Sequence, residues 1–153
     1  MMQRERHMRT LIVTIAIWLC VTAAAGQTPG FYLMGLPPGG TTGTVSGLSR
    51  DGLVAVGTNV TDVQLVAYQW TASGGRDDYG LLPGMPMHTR GLAASGDGNV
   101  IAGSIVGNPI ESASVRIGSG LVQDLGILPG HHSSRALAVS GDGTVVVGQN
   151  MNG

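Results

Sequence analysis

Residues 126–149 read GILPGHHSSRALAVSGDGTVVVGQ, and two imperfect copies lie upstream, GLLPGMPMHTRGLAASGDGNVIAGS at 80–104 and GLPPGGTTGTVSGLSRDGLVAVGT at 35–58. Pro38, Pro83 and Pro129 stand 45 and 46 residues apart, and Asp51, Asp97 and Asp142 stand 46 and 45 apart. A period of this length calls for an array of like units, each burying its apolar face against the next. Single-residue slips in the period fall after each Pro-Gly.

Within one period the pattern predicts four short strands. Strand a covers 45–49, 90–95 and 135–140. The tetrad Ser-x-Asp-Gly follows it at 49–52, 95–98 and 140–143, a hairpin signal. Glycine there accepts positive φ, and the aspartate side chain can bond nearby amides. Strand b covers 53–58, 99–104 and 144–149, with a consecutive apolar run that suits burial on both faces. Gly57, Gly103 and Gly148 close those runs and permit a bulge or a close backbone approach. Strand c is 64–70, answered by 113–117, and strand d is 78–82 or 121–128. No helical period is sustained after residue 25. The fold class expected is all-β, with tandem four-stranded repeats of about 45 residues that suit β-propeller blades.

Composition narrows the function. Glycine is abundant, 26 of 153 residues, but no Gly-x-y period runs through the chain, so collagen is excluded. Lysine is absent, and beyond residue 25 five arginines (50, 76, 90, 116, 135) face eight acids. A mildly acidic body without lysine offers no electrostatic footprint for nucleic acid. The single cysteine, Cys20, lies in the apolar run LIVTIAIWLCVTAAA at 11–25, behind Arg4, Arg6 and Arg9. A basic start, a short apolar run and Ala23-x-Ala25 at its end describe a secretory signal peptide over residues 1–25, with Gly26 as the first mature residue. A retained anchor is the alternative, but the run is short for a membrane span. Cleavage leaves 26–153 with no thiol and no disulfide.

The motifs resemble those of the HAF repeat family of extracellular bacterial proteins. Ala67-Tyr68-Gln69-Trp70-Thr71 matches its A-F-R-W-T piece, and Asp124-Leu125-Gly126-Ile127-Leu128-Pro129-Gly130 matches D-L-G-x-L-P-G-G. Residues 134–148, SRALAVSGDGTVVVG, match the remaining S-x-A-x-A-V-S-x-D-G-x-V-V-V-G. The second unit departs from the pattern, with Ile117 read at the tryptophan position. The resemblance covers nearly all of residues 31–150, in units near 35–80, 80–126 and 126–153. It implies a secreted or surface setting and no defined catalytic residue.

Counting strands from a strand d at 31–39 gives eleven, or three blades at most with one incomplete. Closed propellers typically have about 4–8 blades. The count leaves three readings: a fragment of a longer protein, chains that complete one another by self-association, or an open arc with an exposed edge.

Each candidate site has a plainer account beside it. Asp51, Asp97 and Asp142 supply one carboxylate per turn, too few oxygens for calcium, and the hairpin explains them. His131-His132 and His88 lack zinc spacing and read as a solvated loop. Asp77-Asp78 sit side by side in a Gly-Gly-Arg-Asp-Asp segment read as a loop, unlike the opposed carboxyls of a glycosidase. Trp70, Tyr68 and Tyr79 suggest a sugar-stacking platform, but their place in the strand pattern favours packing. No G-x-S-x-G, P-loop or H-E-x-x-H occurs. The sequence therefore assigns no catalytic, cofactor-binding or metal residue. Its first functional expectation is an exported, non-catalytic repeat module, structural or binding an unidentified protein or glycan through the differing segments 40–44, 85–89 and 131–134. The alternative is a fragment of a secreted propeller-type hydrolase whose catalytic residues lie outside this chain.

Overall fold

The structure, a computed structural model, describes residues 30–79, 88–107 and 110–152. The chain divides into two compact units, Met1–Tyr32 and Leu33–Gly153, and every described strand belongs to the second. The expected signal peptide lies outside the described residues. Among those residues there is no helix, and hence none long and apolar enough to cross a membrane.

Ten strands form three antiparallel sheets. Sheet one joins β1 (Gly40–Leu48), β2 (Val54–Thr61), β3 (Leu65–Thr71) and β4 (Gly75–Tyr79) in sequential order. Sheet two joins β5 (His88–Ala94), β6 (Val100–Val106), β7 (Glu111–Ile117) and β8 (Gln123–Gly126) in the same way. Sheet three is the pair β9 (Ser133–Val139) and β10 (Val146–Met151). Residues 30–39, expected to supply an eleventh strand, form none. A strand of type d pairs only with a strand c, and no described strand c lies beside them.

The Ser-x-Asp-Gly turns are built alike. In the first, the Gly52 amide donates to Ser49 O (2.9 Å), and Gly52 has φ 73°. Asp51 Oδ1 accepts from the Ser49 hydroxyl (2.6 Å) and from the Leu53 amide (3.0 Å). Ser49 Oγ in turn accepts from the Val54 amide (2.9 Å), which closes the hairpin. The same bonds recur through Ser95 and Asp97, and through Ser140 and Asp142. An αL glycine and a carboxylate that gathers local donors make this tetrad a hairpin by itself.

Each hairpin also carries a bulge at one equivalent place. Val45 pairs with Gly57 and Gly47 with Val56, which leaves Ser46 without an opposite residue. Leu92 and Leu137 are skipped in the same way in β5 and β9. Opposite the bulge the partner carbonyl crowds the strand. A Cβ on Gly57, Gly103 or Gly148 would strike the carbonyl oxygen of Thr44, Arg90 or Arg135 respectively. These glycines are required by the bulge, as their place after the apolar run suggested.

Burial follows the middle strands. Val56 and Ala102 are fully buried, as are Ala55, Ile101 and Ile105 or nearly so. In β10 the equivalent of Val56 is Val147, which is 56% exposed. The expectation of a buried strand b therefore holds for β2 and β6 and fails for β10. Among the described residues β10 has no strand on its outer edge, where β2 and β6 have β3 and β7.

The ladders also correct the alignment of the second unit. Gly57 pairs with Tyr68 and Gly103 with Ser114, so Arg116, not Ile117, stands at the position of Trp70.

Successive sheets are joined by polar insertions as well as by packing. β5 lies against β1, β2 and β3, and β9 lies against β5, β6 and β7. Thr89 Oγ1, on β5, accepts from the Ala67 amide (3.0 Å) and donates to Tyr79 O (3.3 Å). Ala67 and Tyr79 are opposite residues of β3 and β4, so the hydroxyl sits within that pair. Ser134 on β9 does the same to Ala113 and Gly126, at 2.7 and 2.6 Å. Both hydroxyl residues are 2% exposed. The turns touch as well: the Gly96 amide donates to Gly141 O at 2.8 Å.

Candidate functional site

The sequence candidates separate in space and mostly find structural work. The three aspartates are occupied by their own turns, and the hairpin role explains them. In each case the serine hydroxyl, then the amide two residues on, holds the carboxyl below its ordinary value. Asp142 gains a further bond from the Thr144 hydroxyl (2.9 Å), and its pKa falls to about 2.

His131 and His132 lie exposed in a loop, as expected. His88 does not. It opens β5, and its Nδ1 accepts from the Leu65 amide at 2.7 Å, where β3 begins. Asp77 and Asp78 likewise lie in β4 rather than a loop. Each meets its own arginine, Asp77 with Arg116 (3.2 Å) and Asp78 with Arg76 (2.8 Å). Successive strand residues point to opposite faces, so the two carboxyls do not form a catalytic pair.

Of the three aromatic candidates, Tyr68 is packed inside, and Trp70 and Tyr79 are half-exposed. Tyr68 is 3% exposed, and its hydroxyl donates to Thr44 O (3.1 Å). The Arg116 guanidinium lies 4.4 Å from the centre of the Tyr79 ring. Burial raises the Tyr79 phenol well above its ordinary pKa, against the opposing pull of Arg116. Arg116 also donates to Gln69 (3.0 Å) and to Gly120 O (3.2 Å), so it ties sheet two to sheet one. Of the differing segments, 40–44 lies within β1, and 85–87 lies outside the described residues. Residues 131–132 form a loop that runs into β9 at Ser133.

The most distinctive charged cluster was not singled out by sequence reasoning. Glu111, at the start of β7, accepts from Arg90 of β5 (2.7 Å), Ser104 of β6 (2.6 Å) and Arg135 of β9 (2.6 Å). The glutamate side chain is 12% exposed, and those of Arg90 and Arg135 are 32% and 37% exposed. Burial alone would raise the Glu111 pKa. The bonds from Arg135 and Ser104 and the charge of Arg90 outweigh it and hold the carboxyl below its ordinary value. Two signals for this cluster were present: Glu111 is the sole glutamate after Glu5, and a hydroxyl residue followed by arginine recurs at 89–90 and 134–135.

Next to the cluster, between the end of β8 and the β9–β10 hairpin, lies a groove of about 270 Å³. Arg135, Gln149 and Asn150 supply its polar wall, and Ala113, Leu128 and Val147 part of its apolar one. This arrangement suits recognition of an extended or anionic group. Among the described residues, no three His, Cys, Asp or Glu side chains are grouped to hold a metal ion. No protein-family model and no curated protein matches the chain.

Proposed function

We propose that this chain is an exported, non-catalytic repeat module of HAF type, whose sheets are successive blades of a propeller-like array and whose surface binds a protein or glycan. The observation that carries the reading is the repetition of one built unit. The same hairpin turn, bulge and inter-sheet hydroxyl recur from sheet to sheet, while residues 131–134 differ from their counterparts at 40–44. A rigid repeated frame with differing segments at one end is a common way to present a binding surface. Export rests on the basic and apolar pattern of residues 1–25. Self-association of chains is compatible with a β10 edge that no described strand covers.

Expression of the full chain in a bacterial host, followed by N-terminal sequencing, tests export: secreted protein starting at Gly26 is expected, and uncleaved protein confined to the cytoplasm removes that part of the reading. Glycan and protein arrays test binding. Replacing the exposed His131 and His132 by Gly-Gly should change which spots are retained. Turnover of chromogenic glycosides or esters by the purified chain would overturn the non-catalytic assignment.

A further inference from the structure

The three sheets differ at one position of β1, β5 and β9. Val45, Gly91 and Ala136 lie opposite Gly57, Gly103 and Gly148, and three residues before them stand Thr42, His88 and Ser133. Of these side chains only imidazole belongs to the class whose charge ordinarily changes between about pH 5 and 8. His88 is half-buried and opens β5 beside Thr89. Together the two residues accept from two amides of β3, His88 from Leu65 and Thr89 from Ala67.

The bond from the Leu65 amide fixes the charge state of the ring. A ring nitrogen that accepts a hydrogen bond carries no proton, so Nδ1 is bare and the imidazole is neutral. A second proton on the ring makes both nitrogens donors. Two donors then face one another across 2.7 Å, and the Leu65 amide loses its acceptor. No described carboxylate forms an ion pair with the ring that would hold the second proton in place. β5 packs against β1, β2, β3, β6 and β9. Their titratable or charged side chains are Tyr68, whose hydroxyl is on Thr44 O, and Arg135, which is on Glu111. Arg90 of β5 itself is also on Glu111, and Asp62, in the turn before β3, is exposed.

We propose that His88 makes the joint between sheets one and two a pH-sensitive latch, closed while the ring is neutral and released in mild acid, when the protonated ring lets go of the start of β3. The joint between sheets two and three has serine at the same position and holds over that range. Its Ser134 hydroxyl does not titrate there, and Glu111, held below its ordinary value, stays ionised. The hairpins hold as well, because their turn aspartates protonate only at much lower pH. Mild acid therefore loosens sheet one from sheet two without unfolding either. The latch is independent of export and of binding through residues 131–134.

Hydrogen exchange of the full chain at about pH 7.5 and about pH 5.5, each rate divided by that of an unstructured amide at the same pH, tests it. Protection of Leu65 and Ala67 should fall about ten-fold at the lower pH, the effect of one lost hydrogen bond, while that of Ala113 at the second joint stays constant. His88→Asn supplies an acceptor that does not titrate and should abolish the fall. Replacing the exposed His131 and His132 by asparagine should leave it intact. Constant protection of Leu65 between the two pH values, or an equal fall at Ala113, overturns the proposal without any variant. A fall that persists in His88→Asn, or that disappears with His131 and His132, overturns it too.

Discussion

The hairpins β5–β6 and β9–β10 are near-copies in backbone and opposites in environment. Both turn through Ser-Gly-Asp-Gly, both skip one leucine in the same bulge, and both set a glycine under an intruding carbonyl. Yet Ala102 is fully buried and its counterpart Val147 is 56% exposed. Turn, register and bulge are thus properties of the local sequence, and burial is a property of the neighbours. The hairpin frame does not need its core in order to form its shape. It needs a core to hold that shape firmly.

If this separation is right, one substitution should weigh differently in the two places. Gly103→Ala drives a methyl against the Arg90 carbonyl in a strand paired on both sides, and should cost about 3 kcal/mol. Gly148→Ala meets the Arg135 carbonyl in a strand that, among the described residues, is paired on one side only, and should cost about 1 kcal/mol. Urea denaturation of the two variants measures the gap, and equal losses would mean that β10 is as constrained as β6. Val56→Ala should cost about 2 kcal/mol and Val147→Ala under about 0.5 kcal/mol, read in the same way. Glu111→Gln removes the carboxylate that links sheet three to sheet two, and should cost about 1.5 kcal/mol. Amide exchange should then quicken first in β9 and β10, and a uniform increase over all strands would refute the idea of a local joint.

Acid sharpens the comparison in the opposite sense. All three turn aspartates are depressed in the folded chain, so their stabilising contribution is complete above about pH 4 and is lost as pH falls through the folded values. Asp142, at about 2, should be the last of the three to protonate, because the Thr144 hydroxyl adds a bond that the Leu53 side chain cannot supply and the Asn99 side chain does not give to Asp97. Carboxyl chemical shifts followed by NMR from pH 7 to about 1.5 give the order. Thr144→Val should bring Asp142 back toward Asp51 and Asp97. The hairpin with the weaker surroundings would then have the more acid-resistant turn.

What could be read in advance follows the same division. The turns, the glycines and the four-strand order were legible because each depends on residues close in sequence. The Arg90–Glu111–Arg135 cluster was not, since it requires the starts of three strands from two sheets to meet, and no residue spacing announces that. The placement of Arg116 failed for a related reason. Motif matching tolerated a one-residue slip to Ile117, whereas pairing with Gly103 does not, because such a slip turns every side chain to the other face. His88 and Asp77-Asp78 were read as loop residues from glycine-rich or irregular surroundings, and pairing with a neighbouring strand made them part of β5 and β4.

The hydroxyls of Thr89 and Ser134 have one more consequence. Each later sheet reaches back into the one before it, and none of these contacts runs the other way. Sheet two, which meets a described neighbour on both sides, thus carries a plug toward sheet one (Thr89) and a socket for sheet three (Ala113 and Gly126). Units that use this joint can be multiplied in one direction by duplication of the gene segment, but two of them cannot meet through it in a symmetric, face-to-face pair. Growth of such a protein is directional in the way a zipper is, with each tooth defined by the last.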